Sequence, residues 1–480
     1  MAPSPTGFFH WGTARAAVFN WLFARGEGGI FVVRIEDTDK ERSDRKFEQD
    51  IFEGLRWLGM LWDEGPVSPD TLENKEVGNY GPYRQSERTE IYKEYLEKLL
   101  EDKKVYYCYC TKEELAAERE GMIASGTVPK YSGHCRNLEH PPKDREPQVV
   151  RLKAPEAIIE FKDIIRGTIS FDASLLGDFP IARNTNDVLF HFAVVVDDHL
   201  MKITHVIRGE DHISNTPKHI LILRALGFDE PLYAHVPLVL GQNREKLSKR
   251  YLTSSLLEYR DKGYLPEALV NFVAFLGWHP KDDAEVLTPQ EIIERFDLKR
   301  VQKGGAIFNE EKLLWLNTQH IRRLTPEDLE RRLRIYLAEH RGGLLHIPDE
   351  TFSQLVLLEQ PRMKTLHDFF ESTEFFFKLE NYAGALLIPK DQNKDDTLTI
   401  LRELKTVMSE LPESLDRTVI ASKIAPLIDQ WGRGGVLWPF RVALSGKAAS
   451  PDPLDILEVL GKDATEKRLT IAINKLNEPN

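Results

Sequence analysis

The sequence predicts an α/β chain: a doubly wound, parallel-sheet half followed by an all-helical half. Three observations carry this. Short apolar runs alternate with amphipathic helices from residue 13 to about 245, the pattern of a sheet covered by helices. Little strand signal remains from about residue 325 to the end. A turn rich in proline and glycine, Ala2-Pro3-Ser4-Pro5-Thr6-Gly7-Phe8-Phe9-His10-Trp11-Gly12, feeds a helix at the start of the chain. Such a mouth suits phosphate, because backbone N–H groups and the helix dipole point at an anion.

The elements follow in order. Residues 13–25 read as a helix with Ala14, Ala17, Val18, Trp21 and Leu22 on one face. Ile30 to Ile35 reads as a buried parallel strand. Residues 44–60 are helical through Phe47, Ile51, Leu55 and Leu58, and 87–103 through Ile91, Tyr95, Leu96 and Leu99. Thr111 with Glu114 is a capping box. Gln148 to Phe171 reads as several short strands, so a block from about 84 to 186 interrupts the alternation. Phe190 to Val196 reads as an apolar strand turned by Asp197-Asp198, with Ile203 to Ile207 beside it. A helix over 214–226 and a strand over Ala234 to Leu240 return to the first domain. Helices then run over 266–276, 289–296, 309–317 and 326–341.

Bulk composition excludes several classes. The 480 residues are 41% hydrophobic and 10% aromatic, with no run apolar enough to cross a membrane. No signal pattern opens the chain, so a cytoplasmic protein is expected. Lys+Arg of 64 against Asp+Glu of 76 gives a net charge of −12. An overall basic nucleic-acid binder is thereby excluded, though a basic face on an acidic body is not. Three cysteines, Cys108, Cys110 and Cys135, cannot make a disulfide framework. Their clustering within 28 positions fits a structural zinc site.

A second phosphate signal stands far from the first. Lys246-Leu247-Ser248-Lys249-Arg250 is a basic loop of the kind that closes over a triphosphate. The opening turn and this loop together resemble the paired signatures of class I aminoacyl-tRNA synthetases. Arg34-Ile35-Glu36-Asp37-Thr38-Asp39, Gly81-Pro82-Tyr83-Arg84-Gln85-Ser86-Glu87-Arg88, Val194 to Met201, Val206 to His212 and Leu314 to Asn317 resemble the bacterial glutamyl-tRNA synthetases. The resemblance spans essentially the whole chain and is sharpest up to about Trp315.

The resemblance implies a Rossmann-type nucleotide-binding catalytic domain over 1–83 and 187–245 and an inserted α+β acceptor-binding domain over 84–186. A basic signature loop and helical stem-contact region over 246–324 follows, then an all-α anticodon-binding region over 325–480. It implies a ligase that converts L-glutamate and ATP to glutamyl-adenylate and passes glutamate to the 3′ end of tRNA-Glu. Mg2+ would accompany ATP, and these enzymes are usually monomers. His10, Lys246 and Lys249 would be catalytic. ATP would be held by Thr6, His10, Gly12, Lys246, Ser248, Lys249 and Arg250. Glutamate would be held by Ser4, Glu36, Phe190 and Arg208, with Arg208 facing the γ-carboxylate and Glu36 the ammonium group. Zinc would take Cys108, Cys110, Cys135 and Tyr131, with His134 the chemically more ordinary fourth ligand.

Arg84, Arg88, Lys112, Lys130, Arg322, Arg323, Arg331, Arg332 and Arg334 are candidate RNA phosphate partners. Gln360-Pro361-Arg362 lies in the part resembling the anticodon reader. Three departures from the family pattern stand out. Phe190 replaces a common tyrosine, so one hydroxyl contact is missing. Tyr251-Leu252 replaces His-Gly. Met1 directly precedes Ala2, where an arginine two positions earlier would be expected, and loss of most of the first strand should weaken the core and glutamate binding. Two rival readings are a glutaminyl enzyme and a silent tRNA-binding homologue.

Overall fold

The structure, a computed structural model, describes residues 1–39, 41–68, 70–245, 253–340, 347–412 and 417–478. It divides into two compact units: Met1–Arg260 with Pro266–Leu316, and Asp261–Leu265 with Asn317–Asn480. The basic loop Lys246–Arg250 and Tyr251-Leu252 lie outside the described residues.

In the first unit the helices α1 (Trp11–Gly26), α2 (Arg45–Trp57) and α3 (Thr89–Glu101) form where periodicity predicts them. Asp44 caps α2 by accepting from the Lys46 N–H. Next come β1 (Val105–Cys108), α4 (Lys112–Ala124), β2 (Val149–Leu152), β3 (Ile158–Asp163), β4 (Gly167–Asp172), β5 (Pro180–Asn184) and β6 (Asp187–Val188). The Thr111–Glu114 capping box opens α4. Then follow α5 (Phe190–Leu200), β7 (His205–Gly209), α6 (Thr216–Leu226), β8 (Leu232–Val236) and β9 (Val239–Leu240). The unit continues through α7 (Leu257–Asp261) up to Arg260, α8 (Pro266–Phe275), α9 (Pro289–Arg295), β10 (Ala306–Ile307) and the start of α10 (Glu310–Arg323), whose residues from Asn317 on belong to the second unit.

Two four-stranded sheets result. One has the order β1-β2-β5-β6 and is antiparallel. The other has the order β4-β3-β8-β7, with β7, β8 and β3 parallel. The β3–β4 hairpin, within the predicted insert, thus extends the sheet that carries β7. Residues 31–36 are extended and bridge in parallel to Glu64 and Arg84. Their other edge is met by the start of the chain: the Met1 amine donates to the Val32 carbonyl, Arg34 N–H to the Met1 carbonyl and Glu36 N–H to the Pro3 carbonyl. Met1 to Pro3 therefore pair as the residues of a parallel strand.

Two expectations are corrected. Phe190 to Val196 is not a strand but the first turns of α5, in which Phe192 to Asp197 are all buried. An apolar run lacks the alternation that separates a buried strand from a buried helix. The predicted strand over Ala234 to Leu240 breaks at Pro237, which cannot donate to a ladder.

The second unit is helical among its described residues. It contains α11 (Pro326–His340), α12 (Asp349–Glu359), α13 (Leu366–Phe377), α14 (Lys394–Glu410), α15 (Arg417–Trp431), α16 (Arg433–Ser445), α17 (Pro453–Leu460) and α18 (Lys462–Asn477). Buried Arg468 of α18 donates to the carbonyls of Leu444, Phe375 and Phe376, the last two at 2.7 and 3.0 Å. One guanidinium therefore satisfies carbonyls at the C-terminal ends of both α13 and α16, groups a helix leaves unpaired.

Candidate active site

The N-terminus of α1 is built by His10. Its Nδ1 accepts from the Gly12 N–H at 3.1 Å and the Thr13 N–H at 3.5 Å, so His10 is the N-cap of α1. The N–H groups expected to be free for phosphate are therefore partly taken by the imidazole. Because Nδ1 accepts, the proton sits on Nε2, which lies 3.3 Å from Thr13 Oγ1. Burial lowers the His10 pKa, keeping the ring neutral. The positive end of the helix is thus relayed through an imidazole N–H.

The turn before His10 is held from α2. Asp50 Oδ2 accepts from the Phe9 N–H at 2.6 Å, and Oδ1 accepts from the Ser255 hydroxyl at 2.7 Å. The Leu256 N–H donates back to the Phe9 carbonyl at 2.7 Å. Asp50 thereby joins the opening turn to the residues just after the basic loop. Gly54, one turn along α2, leaves room for Phe9: an added Cβ would sit 2.3 Å from its ring. Neither residue carries a motif signal, because both act on partners remote in sequence.

A cavity of about 670 Å³ opens beside α1. Ser4, His10, Gly12, Glu36, Phe190 and Arg208 all line it; Thr6 does not. These six come from four separate sequence stretches, so the fold brings together most of the predicted residues it describes. Arg34, Asp198 and Arg15 also line the cavity. Arg15 is buried in α1 with Nε and Nη2 unpartnered, and burial lowers its pKa to about 10.

Arg34 and Arg208 face this cavity in opposite electrostatic settings. Arg34 pairs with Glu36 at 3.1 Å and Asp198 at 2.7 Å, and lies 3.7 Å from Asp197. Burial raises the Glu36 pKa to about 7, against the pull of Arg34. Arg208, at the end of β7, has only neutral acceptors among the described residues. They are His235 Nε2 at 3.2 Å, His219 Nδ1 at 3.3 Å, Thr216 Oγ1 at 2.7 Å and the His212 carbonyl at 3.4 Å. Removal from bulk water lowers its pKa. The Phe190 ring packs against His191, His212 and His219 with no polar atom to offer.

Away from the cavity, the thiols of Cys108, Cys110 and Cys135 lie within 4.8 Å of one another and are buried. Cys110 Sγ to Cys135 Sγ is 3.6 Å, near the roughly 3.8 Å that two thiolates span at the corners of a zinc tetrahedron. The Tyr131 hydroxyl stands 3.4 Å from Cys108 Sγ and 3.6 Å from Cys110 Sγ. His134 is exposed and does not join the cluster.

Several of the candidate RNA contacts have partners within the chain. Arg84 is buried against Glu48 at 2.7 Å, and Arg88 against Asp197 at 2.6 Å. Gln360 donates to the carbonyls of Ile321 and Leu324, leaving its amide nitrogen unavailable to a base. Arg331 and Arg332 pair with Asp328, and Arg334 with Glu330. A charge in a sequence does not announce its partner.

Comparison with known proteins is decisive for the family. Residues 1–315 match the model of tRNA synthetases class I (E and Q), catalytic domain, and residues 328–473 match an anticodon binding domain. The chain belongs to the glutamate–tRNA ligase family of class I synthetases. It is 42% identical over 494 residues to the glutamate–tRNA ligase of Carboxydothermus hydrogenoformans, covering 99% of each chain. It is 41% identical over 490 residues to glutamate–tRNA ligase 1 of Caldicellulosiruptor saccharolyticus, covering 98% of this chain and 97% of that one. A crystal structure of a glutamate tRNA ligase from Elizabethkingia meningosepticum in complex with its amino acid superposes with a TM-score of 0.86 at 34% identity, covering 99% of this chain and 98% of that one. The family's fold is therefore this chain's fold, including the helical C-terminal half.

Asp50→Ala should leave the Phe9 N–H without its acceptor and cost about 1–3 kcal/mol. Urea unfolding of the full chain measures it, and an unchanged midpoint would show that Asp50 does not hold the turn.

Proposed function

We propose that the chain is a glutamate–tRNA ligase acting in two steps, formation of glutamyl-adenylate from L-glutamate and ATP, then transfer of glutamate to the 3′ end of tRNA-Glu. The observation that carries the substrate assignment is Arg208. A buried cation with neutral neighbours calls for an anionic partner, and the γ-carboxylate of glutamate supplies one. Glutamine offers no such charge, which weighs against a glutaminyl enzyme. Across the cavity, Glu36 and Asp198 offer carboxylates to the substrate ammonium group, with Ser4 at the same wall. Phe190 shapes this pocket without a hydroxyl.

On the nucleotide side, His10 donates its Nε2–H to a phosphate oxygen, and Gly12 leaves the helix mouth open to adenosine. Lys246, Ser248, Lys249 and Arg250 would close over the triphosphate from the basic loop, with Thr6 in the opening turn. Mg2+ bound with ATP would offset phosphate charge. No covalent enzyme intermediate is needed. Rate comes from holding the carboxylate of glutamate against the α-phosphate and from donors placed where charge develops. The region over 328–473 would read the anticodon, and the β1-β2-β5-β6 sheet with its thiol cluster would meet the acceptor end.

The three thiols fit zinc, with the Tyr131 hydroxyl as the fourth group and His134 outside. Such a site would be structural, tying β1 to the segment that carries Cys135, and leaves no open position for chemistry.

Three measurements follow. ATP–pyrophosphate exchange in the presence of tRNA should proceed with glutamate and not with glutamine, and Arg208→Gln should raise the KM for glutamate about 100-fold while sparing that for ATP. Exchange with glutamine alone would sink the assignment. Glu36 is raised to about 7, so it is mostly neutral below that pH and charged above. The KM for glutamate should therefore fall as pH rises through about 7, and Glu36→Gln should flatten this part of the profile. For stability the sign is reversed: the unfolded carboxyl ionises first, so this residue's contribution declines as pH climbs from its ordinary range toward 7. Metal analysis of the purified protein should return stoichiometric zinc, lost in Cys135→Ser. Protein free of zinc that melts normally in chelator would leave three reduced thiols and no metal site.

A further inference from the structure

We propose that Asp163 and His235 are positioning residues for Arg208, the carboxylate fixing the imidazole and the imidazole fixing the guanidinium without neutralising it. The proposal rests on the reading of Arg208 as the group that meets the substrate γ-carboxylate.

The strands place the three residues in line. In the parallel pair β7–β8, Arg208 is in register with His235. In the parallel pair β3–β8, Asp163 is in register with Tyr233, two residues before His235 on the same strand. Residues two apart on a strand share a face. The hairpin β3–β4 thus does more than widen the sheet. It delivers a carboxylate behind His235.

Asp163 is itself immobilised. Its Oδ1 accepts from the Ile165 N–H at 3.0 Å and the Arg166 N–H at 2.8 Å. Its Oδ2 accepts from the His235 N–H at 3.0 Å and lies 2.6 Å from His235 Nδ1. Both side chains are sealed from solvent. Burial opposes ionisation of Asp163, but the His235 contact and the backbone N–H groups outweigh it and hold its pKa below the ordinary value. An ionised carboxylate only accepts, so Nδ1 of His235 must carry the proton. Burial also lowers the His235 pKa, and the positive charges of Arg208 and Arg166 lower it further against Asp163. The ring is neutral, and its Nε2 lone pair is left to accept from Arg208 Nε–H at 3.2 Å.

The remaining partners of Arg208 follow the same rule. Thr216 Oγ1 accepts from Nη2 and lies 3.1 Å from His235 Nε2. His219 Nδ1 lies 3.3 Å from Nη1, so its proton sits on Nε2 and points to His191 Nδ1 at 3.1 Å. Of the five N–H groups a guanidinium carries, four have acceptors in these contacts and one on Nη1 is left. A carboxylate in place of His235 would orient Arg208 equally well, yet it would cancel the charge needed for the substrate. A histidine held neutral from behind gives orientation and keeps the charge.

The test compares Asp163→Asn, His235→Ala, His235→Gln and Arg208→Gln in the full chain by ATP–pyrophosphate exchange with tRNA present. Asp163→Asn puts an amide N–H against either the backbone N–H groups or the ring. It should raise the KM for glutamate about 10- to 100-fold with the KM for ATP unchanged. His235→Ala should do the same. His235→Gln, whose amide oxygen can accept from Nε–H, should recover part of the loss. Equal shifts in both KM values, or a lower melting temperature with both KM values intact, would overturn the proposal. If Arg208→Gln leaves the KM for glutamate unchanged, the reading of Arg208 fails instead, and the two failures are distinguished. A readout on the unmodified protein stands apart from the folding of any variant: 15N spectra, with His235 identified by its absence in His235→Gln. A proton on Nδ1 is expected; a proton on Nε2 alone would overturn the tautomer on which the proposal depends.

Discussion

Asp197 is the constraint on which the cavity depends. It has no exposed surface. It accepts from Gln85 Nε2 at 2.9 Å, Arg88 Nε at 2.6 Å and the Tyr92 hydroxyl at 2.9 Å, with Arg34 Nε at 3.7 Å. These donors come from the residues before α3, from α3 itself and from the extended stretch 31–36. A carboxylate so deep is tolerated only because donors surround it. Arg34 continues the network outward to Glu36 and to Asp198, which reaches the cavity. Removing Asp197 would strand Arg88 as a buried charge and release the helix from the wall of the site. Motifs distant along the chain are thus tied together in space by one carboxylate rather than by the phosphate turn alone.

Local features were legible in the sequence. Periodicity located α2, α3 and α6 to within a few residues, and the Thr111–Glu114 box opened α4 as read. The cysteine cluster was legible because cysteine is rare here and its spacing short. The turn before α1 was legible as a helix mouth, although His10 occupies part of that mouth as a cap. What failed to show was anything that depends on which distant group a side chain meets. Arg84 and Arg88 look like surface cations until Glu48 and Asp197 are found beside them. Asp50 and Phe9 are 41 residues apart, and Asp163 and His235 are 72 apart. Hydrophobic period and capping chemistry are near-neighbour signals; neither reports contacts of this range. The error over Phe190 to Val196 has the same root. A wholly apolar run records only that it is buried, and the burial geometry that makes it a helix is tertiary.

Two of the three arginines lining the cavity, Arg34 and Arg208, show why burial and charge must be read with their partners. Arg34 sits among three carboxylates, and its guanidinium is held strongly in the charged form by Asp198, Asp197 and Glu36. It has no charge to spare, so its work is structural: it fixes Glu36 and Asp198 at the wall. Arg208 is set among two imidazoles, a hydroxyl and a carbonyl, all neutral. The cost of burying it is not met within the described residues. Such a cost is offset when an anionic ligand binds, which is the part the proposed reading gives to the γ-carboxylate of glutamate. Swapping the two surroundings would leave the sequence composition and the cavity volume unchanged. It would, however, place the available positive charge where the substrate ammonium group is proposed to bind, and the selectivity for glutamate would be lost. On the proposed reading of Arg208, selectivity resides less in the presence of arginine than in the neutrality of the groups that hold it, and the histidines behind Arg208 share in substrate choice with the arginine itself.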